Sequence, residues 1–245
     1  MTTTVDVWWA DLTAGAALAS VVLTQEERRR EQAFRTAAAR QQYGVSKTLI
    51  RCVLSRYIGL EPRHLEIAVS PEGKPFLATA TDLVFNVSHA GGLIVCAVSR
   101  ALQLGIDIEW RGGNVDMPAL AENYCSASER ELLAGTVEAE PFYKLWTLKE
   151  AYAKACGQGL ALPLADIGFD ISDTTPRLSA APGNADAEGD WHFACHASAG
   201  YVLSLAIRCF SARRPRLCFL PASGLINGTD EACLASAVPD FLFRT

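Results

Sequence analysis

The chain has 245 residues, of which 50% are hydrophobic and 20% are charged. This composition is ordinary for a globular protein that can bury an apolar core. The formal net charge of −5 does not favour nucleic acid or an anionic membrane as a partner. No stretch approaches the roughly 20 consecutive apolar residues of a membrane-spanning helix, and the N-terminus lacks the basic and apolar regions of a secretory signal. We therefore expect a cytoplasmic protein.

Eight cysteines are spread along the chain at wide, irregular spacings, and no Cys-x-x-Cys pair occurs. Most of them lie in apolar runs, where a free cysteine behaves as a small core residue. We therefore expect reduced, buried thiols rather than a disulfide framework, which agrees with a cytoplasmic location. The Cys and His spacings also do not match a zinc site.

The first half of the sequence predicts a strand, two helices and several short strands. Residues 5–12 alternate as a strand does. Thr24 and Glu27 have the spacing of a capping box and begin a charged helix. A more apolar helix is expected over residues 40–58, with Gly59 as its stop. Turn-forming residues then separate short strands at residues 65–70, 74–78, 83–88 and 93–99.

The second half repeats this order of elements. A strand over residues 102–110 is followed by a second capping-box pattern, Ser126 to Glu129, and by a long helix from Pro141 to Cys156. Strands are expected at residues 167–172, 191–197, 201–209 and 215–220, and a loop at residues 172–190. The repeated order predicts an α+β protein of two similar subdomains, residues 1–102 and 103–210, followed by residues 211–245, to which no role is assigned.

Two carboxylates are expected side by side on the strand that opens the second half. In this strand Leu104, Ile106 and Ile108 alternate with Gly105, Asp107 and Glu109, so both acids project from one face, about 7 Å apart at Cα. Like charges at this spacing repel unless a cation lies between them. A solvated strand face, on which the acids merely project into water, is the alternative.

The long helix supplies a third acid. Trp146, Glu150 and Lys154 recur at i, i+4 and i+8 and form one stripe. Three carboxylates from a strand and a helix would suit Mg²⁺, which prefers oxygen ligands and shares its coordination with substrate phosphates. Bound phosphates would need further cations, for which Lys74, Lys149 and Lys154 are candidates. A plain surface ion pair between Glu150 and Lys154 is the alternative.

Four motifs in this order resemble those of the Sfp-type 4′-phosphopantetheinyl transferases. EGKPFL resembles the family's G-K-P element and FNVSHAGG its F-N-[IV]-S-H-S motif, while GIDIE and LWTLKEAYAKACGQGL resemble its paired signature. The resemblance covers residues 5–208 and implies a pseudo-twofold pair of α/β subdomains with coenzyme A between them. It further implies Mg²⁺-dependent transfer of 4′-phosphopantetheine from coenzyme A to a serine of an acyl or peptidyl carrier protein, with release of 3′,5′-ADP.

The resemblance also implies roles for individual residues. Asp107, Glu109 and Glu150 correspond to the acids that hold Mg²⁺ against the coenzyme A diphosphate. Glu150, or a water that it orients, would deprotonate the carrier serine. Lys154 corresponds to the lysine on the diphosphate, where it would stabilise the leaving 3′,5′-ADP.

Nucleotide and phosphate contacts are implied for Lys74 and for the Ser88–His89 pair. A lone histidine in a hairpin is otherwise most often hydrogen-bonded structure, and the motif around His89 is what favours the ligand role. The first helix offers Arg28–Arg30 where the family often carries lysines, and Arg30 is our candidate for the 3′-phosphate. Gln42 stands near the place of a common family arginine.

Two other functions compete with the transferase. A protein of the same fold could bind coenzyme A or a carrier without turnover, although a pure binder would not need all three acids and Lys154. A different Mg²⁺-dependent phosphotransferase or nucleotide hydrolase is also possible, but the chain lacks a P-loop. Two pseudo-repeats in one chain predict a monomer. The carrier and its pathway, whether peptide, polyketide or fatty acid synthesis, are left open.

Overall fold

The computed structural model describes residues 3–12, 22–136, 138–181, 189–198, 200–222, 225 and 234–235. The helices in these ranges are α1 (Gln25–Gln32), α2 (Ala37–Ile58), α3 (Met117–Tyr124), α4 (Ala127–Ala134) and α5 (Glu140–Cys156). The strands are β1 (Thr4–Asp11), β2 (Ile67–Val69), β3 (Pro75–Leu77), β4 (Val84–Ala90), β5 (Leu93–Ser99), β6 (Gln103–Trp110), β7 (Gly168–Asp170), β8 (Arg177–Ala180), β9 (Asp190–Ala197), β10 (Tyr201–Cys209), β11 (Arg216–Pro221) and β12 (Leu234–Ala235). No helix among the described residues is long and apolar enough to cross a membrane.

The strands form two main sheets, each covered by one long helix. The first sheet has the order β12-β11-β1-β5-β4, and the second has the order β6-β10-β9. Two small hairpins, β2–β3 and β7–β8, complete the two halves. The apolar face of α2 packs on the first sheet, and α5 packs on the second. The predicted α+β fold of two similar subdomains is confirmed.

The two sheets meet where β6 lies along β4. The backbone N–H groups of Ile106 and Ile108 donate to side chains of β4, to Asn86 Oδ1 at 2.9 Å and to Ser88 Oγ at 3.4 Å. Side chains thus replace the strand partner that the exposed edge of β6 would otherwise need. This arrangement gives the FNVSH motif a structural role, and it fixes the strand with the two acids against the first subdomain.

In each subdomain, a buried cationic side chain joins two helices and the turn that follows the longer one. In the first subdomain this side chain is Arg51. Glu27 completes the capping box of α1 and also accepts from Arg51 Nε at 2.7 Å. The Arg51 side chain, 4% exposed, donates further to the carbonyls of Pro62 and Leu65. These carbonyls bound the 3₁₀ turn that follows α2.

The second subdomain repeats each of these contacts. Glu129 completes the capping box of α4 and lies 2.8 Å from Lys149 Nζ. Lys149 also donates to the carbonyls of Leu164 and Ile167, which bound the second 3₁₀ turn after α5. The long helices of the two subdomains, α2 and α5, each end on a glycine in the left-handed conformation, with φ 75°. The internal repeat expected from element order is therefore also present in side-chain contacts.

The C-terminal region does not form a separate unit in its described part. Strand β11 pairs in parallel with β1, from Thr4 opposite Arg216 to Trp9 opposite Pro221. The ring of Phe219 packs edge-on against His196 of β9, with centroids 5.7 Å apart. Residues 216–221 therefore join the first sheet and lie next to the second one, a role that the sequence did not reveal.

Two further sequence predictions need correction. The loop expected over residues 172–190 contains β8, a short and largely exposed strand whose residues lack the apolar alternation on which strand prediction depends. Cys218 is disulfide-bonded, whereas the six other described cysteines have free thiols. The expectation of uniformly reduced cysteines is therefore wrong for Cys218. β12 lies opposite Cys218 in the sheet, a long-range pairing that cysteine spacing does not reveal.

Gly105 sets how closely β6 approaches α5. A Cβ at this position would lie 1.9 Å from the carbonyl oxygen of Ala151 and 2.5 Å from the amide nitrogen of Ala155. Gly105→Ala is therefore expected to push the helix from the strand and to cost about 1–3 kcal/mol of unfolding free energy. Urea denaturation would measure this cost, with Gly113→Ala as control because its nearest contact would be 3.6 Å. Equal stability of the two variants would contradict the tight packing.

Candidate active site

The strand and helix acids converge in one cluster at the subdomain interface. Asp107 is 4% exposed in the centre of β6, and burial of this kind excludes the solvated strand face for this acid. Glu109 follows on the same face, and Glu150 reaches the cluster from α5. Both glutamates lie close enough to Asp107 for the negative charge of Asp107 to raise their pKa.

A lysine holds the centre of the cluster. Lys154 Nζ lies 2.6 Å from Asp107 Oδ1 and 3.0 Å from Ser88 Oγ, while the Ser88 hydroxyl donates to Asp107 Oδ1 at 2.8 Å. The ion pair of Lys154 is thus with the strand acid, and the plain surface pair with Glu150 is not what the structure has. Contacts between β4, β6 and α5 therefore connect both subdomains at this point.

An indole orients the outer strand acid. Trp146 Nε1 donates to Glu109 Oε1 at 3.2 Å. The Trp146 ring itself packs edge-on against Tyr124, with centroids 5.3 Å apart, and stacks on Phe142 at 6.4 Å. The helical stripe of Trp146, Glu150 and Lys154 expected from the sequence thus faces the acids.

Burial and mutual repulsion control the protonation of the acids. Burial first, and the charge of Asp107 second, raise the pKa of both Glu109 and Glu150 above the ordinary glutamate value. The Lys154 cation opposes this shift in both cases. Such a cluster stores electrostatic free energy that a bound cation would release.

The donor set of the cluster, three carboxylates, is of the type that a divalent cation prefers. Across the described residues, no three His, Cys, Asp or Glu side chains stand in a metal-ligand arrangement. Asp107 Oδ2, however, is buried and has no hydrogen-bond partner within the described part of the chain. An unsatisfied carboxylate oxygen next to two carboxylates of raised pKa is a donor set of the kind that Mg²⁺ binds.

Lys149, expected to bind coenzyme A, lies elsewhere. Its side chain is fully buried and is held by Glu129 and two main-chain carbonyls, as described above. A residue adjacent to Glu150 is rotated by about 100° around the helix, so it faces away from the acid cluster. This prediction was wrong: Lys149 closes the core of the second subdomain and does not reach the site.

Lys74, expected to contact the nucleotide, reaches the edge of the cluster but is already engaged. Its ammonium donates to the carbonyls of Leu104, Lys154 and Ala155, at 3.2, 2.5 and 3.1 Å. Burial lowers the pKa of Lys74 to about 8. Three carbonyls use all three donors of an ammonium group, so this arrangement gives no support to a phosphate contact.

The remaining predicted binding residues lie toward the first subdomain. His89 is exposed at the end of β4, next to Ser88, and its ring contacts Gln42 Nε2 of α2 at 3.0 Å. Arg30 is exposed on α1, with its guanidinium 5.9 Å from the centroid of the Tyr43 ring. The structure brings His89 and Gln42 together, and it places Arg30 against Tyr43 on the helix surface.

The internal repeat carries a single copy of the acid cluster. The strand registers place Trp8 and Ala10 of β1 at the positions of the two strand acids, and Cys52 takes the position of Glu150. Arg56 takes the position of Lys154 and lies over the Trp8 ring, 5.7 Å from its centroid. The first subdomain thus has aromatic packing where the second subdomain has its charged site.

Comparisons with known proteins agree with the geometry. The protein-family model described as "4'-phosphopantetheinyl transferase superfamily" matches residues 103–206. A second family model, described as "4'-phosphopantetheinyl transferase, N-terminal", matches residues 8–101. The 4'-phosphopantetheinyl transferase HetI of Nostoc sp. is 32% identical over 170 residues, which cover 66% of this chain and 71% of that protein. A 4'-phosphopantetheinyl transferase of Bacillus subtilis is 35% identical over 133 residues, covering 53% of this chain and 58% of its own.

The Bacillus subtilis 4'-phosphopantetheinyl transferase Sfp is 32% identical over 118 residues, covering 47% of this chain and 52% of its own length. The chain thus spans between about half and 71% of these relatives. The two matched regions follow each other along the chain, and the second contains the whole of β6 and α5. The chain belongs to the 4′-phosphopantetheinyl transferase superfamily.

Proposed function

We propose that this chain transfers 4′-phosphopantetheine from coenzyme A to a serine of an apo acyl or peptidyl carrier protein, in a Mg²⁺-dependent reaction that releases 3′,5′-ADP. The observation that carries the proposal is the convergence of Asp107, Glu109, Glu150 and Lys154 at the subdomain interface. Mg²⁺ bound by the three acids would neutralise charge on the coenzyme A diphosphate.

Each residue of the cluster has a chemical task in this reaction. The carrier serine Oγ forms a bond to the phosphorus that bears the pantetheine arm, and the bond from this phosphorus to the bridging oxygen breaks. The serine proton passes to Glu150 or to a water that it orients. Lys154 offsets the negative charge that develops on the leaving 3′,5′-ADP.

Neighbouring side chains hold both strand acids in place. Asp107 is held by Ser88 and Lys154, and Glu109 by the Trp146 indole. Phosphoryl transfer depends mainly on alignment and charge neutralisation, so fixed carboxylates favour it more than mobile ones would. We assign Ser88 to the site because it contacts Asp107 and Lys154, and we assign the adjacent His89 to the nucleotide because of the resemblance of its motif to that of the family.

A binding protein without turnover is the rival function. Incubation with coenzyme A, Mg²⁺ and apo-carrier, followed by chromatography of the nucleotides, separates the two. A transferase releases 3′,5′-ADP only when carrier and Mg²⁺ are both present, and EDTA stops the release. Coenzyme A binding without release across a panel of acyl and peptidyl carriers would instead identify a binder. Hydrolysis of ATP in place of coenzyme A would identify a nucleotide hydrolase.

We further propose a monomer in the cytoplasm. Both subdomains contribute to the cluster within one chain, so a second copy is not needed to complete the site. The six free cysteines among the described residues favour a reducing compartment, and the disulfide-bonded Cys218 is an exception. Sedimentation velocity tests the first part, and a stable trimer would contradict it.

A further inference from the structure

The turn between β2 and β3 is built to present one lysine. Gly73 N–H donates to the Ser70 carbonyl at 2.9 Å, and Gly73 adopts a φ of 91°, which favours glycine. Ser70 N–H donates to the Lys74 carbonyl at 2.9 Å, while Lys74 N–H donates to Ser70 Oγ at 3.2 Å. Pro75 then restricts Lys74 to an extended backbone. The Gly-Lys-Pro motif thereby fixes where the Lys74 side chain starts.

From this turn, Lys74 crosses into the second subdomain. Its stem passes the C-cap of α5, since a Cβ on Gly157 would lie 3.8 Å from Lys74 Cδ. Its ammonium binds two carbonyls at the end of α5 and the Leu104 carbonyl of β6. A cation at a helix C-terminus also interacts favourably with the helix dipole. One side chain thus joins the two elements that carry the acid cluster.

We propose that Lys74 is a positioning residue of the transferase: it anchors the last turn of α5 to β6 and so holds Lys154 and Glu150 in register with Asp107. This proposal rests on the proposed function and assigns Lys74 no contact with coenzyme A. Lys154 supplies its own carbonyl to the Lys74 ammonium and its own ammonium to Asp107. A displacement of the last turn of α5 would therefore move the Lys154 ammonium away from Asp107.

The kinetic test compares Lys74→Met, which keeps the aliphatic stem, with Glu72→Gln, an exposed position of the same turn. For Lys74→Met we expect kcat to fall about 10- to 100-fold, because small misplacements of catalytic groups are costly. The KM for coenzyme A and the Kd for 3′,5′-ADP should stay within about twofold, as for loss of an interaction used only in the transition state. Weaker 3′,5′-ADP binding at unchanged kcat would overturn the proposal.

Hydrogen–deuterium exchange tests the anchor without turnover. In Lys74→Met, amides of residues 153–157 should exchange faster, while those of residues 54–59 at the end of α2 stay unchanged and exclude global unfolding. Lys74→Arg keeps a cation at the helix end and should restore part of both protection and kcat. Unchanged exchange at residues 153–157 would overturn the anchoring role, whether or not the wild-type chain is a transferase. The absence of wild-type transfer, by itself, would refute only the proposed function.

Discussion

Glu150→Gln is expected to lower transfer about 10²- to 10⁴-fold and, in the same protein, to raise the melting temperature by about 1–3 °C. The loss of activity follows from loss of the general base and of a metal ligand. The gain in stability follows from removal of a half-buried carboxylate that Asp107 and Glu109 repel. Active sites that store such repulsion commonly trade stability for activity.

The pH dependence of this effect has a defined sign. The pKa of Glu150 is raised in the folded state, so ionisation of this group costs stability as pH rises through its folded pKa. The stabilising effect of Glu150→Gln should therefore be present at pH 7.5 and should vanish in acid, below the ordinary glutamate pKa. The rate of the wild-type enzyme should conversely fall as acid protonates Glu150.

Thermal unfolding at pH 7.5 and in acid, without added metal, checks this prediction. Glu131→Gln is the matched control, because Glu131 is an exposed glutamate of helix α4. Added Mg²⁺ should raise the melting temperature of the wild type, since a ligand of the native state stabilises it. It should have less effect on Glu150→Gln. A Glu150→Gln protein that is less stable than the wild type at pH 7.5 would contradict the account of the cluster.

Lys149→Met is expected to reduce the free energy of unfolding by about 3–5 kcal/mol, the largest loss of stability that we predict. The substitution leaves Glu129, which is 3% exposed, without its cation, and it leaves the Leu164 and Ile167 carbonyls without a donor. Breaking one side of a buried ion pair is far more costly than replacing both partners.

The double variant Glu129→Gln/Lys149→Met should recover much of this loss, because a glutamine still completes a capping box. Lys144→Met, on the same helix but half-exposed in its pair with Glu140, should cost at most about 1 kcal/mol. Urea denaturation measures all three. Near-native stability of Lys149→Met combined with weaker coenzyme A binding would contradict the structural role and restore the original prediction.

Local chemistry in the sequence was sufficient to predict most of the elements. The capping boxes at Thr24 and Ser126 and the left-handed glycines Gly59 and Gly157 delimit helices through contacts within a few residues. The alternation around Asp107 likewise placed the strand acids correctly. These features depend on short-range geometry, which sequence spacing expresses directly.

Long-range contacts account for what the sequence could not reveal. The parallel pairing of β11 with β1 joins residues from opposite ends of the chain, and periodicity contains no information about such a partner. Lys74 and Lys149 have the residue type of phosphate ligands, and only the packed structure shows that carbonyls and Glu129 already engage them. Lys149 does not lie on the helical stripe that begins at Trp146, and this spacing already indicated that its side chain would not face the acids.

The most direct test of the central claim is the intact mass of an apo-carrier protein after incubation with this chain, coenzyme A and Mg²⁺. We predict a gain of one phosphopantetheine group on the carrier with the wild type and with Glu131→Gln, and none with Glu150→Gln or with EDTA. Modification by Glu150→Gln at the wild-type rate would show that the cluster is not the catalytic site. The absence of any modification across several carriers, despite bound coenzyme A, would contradict the transferase function.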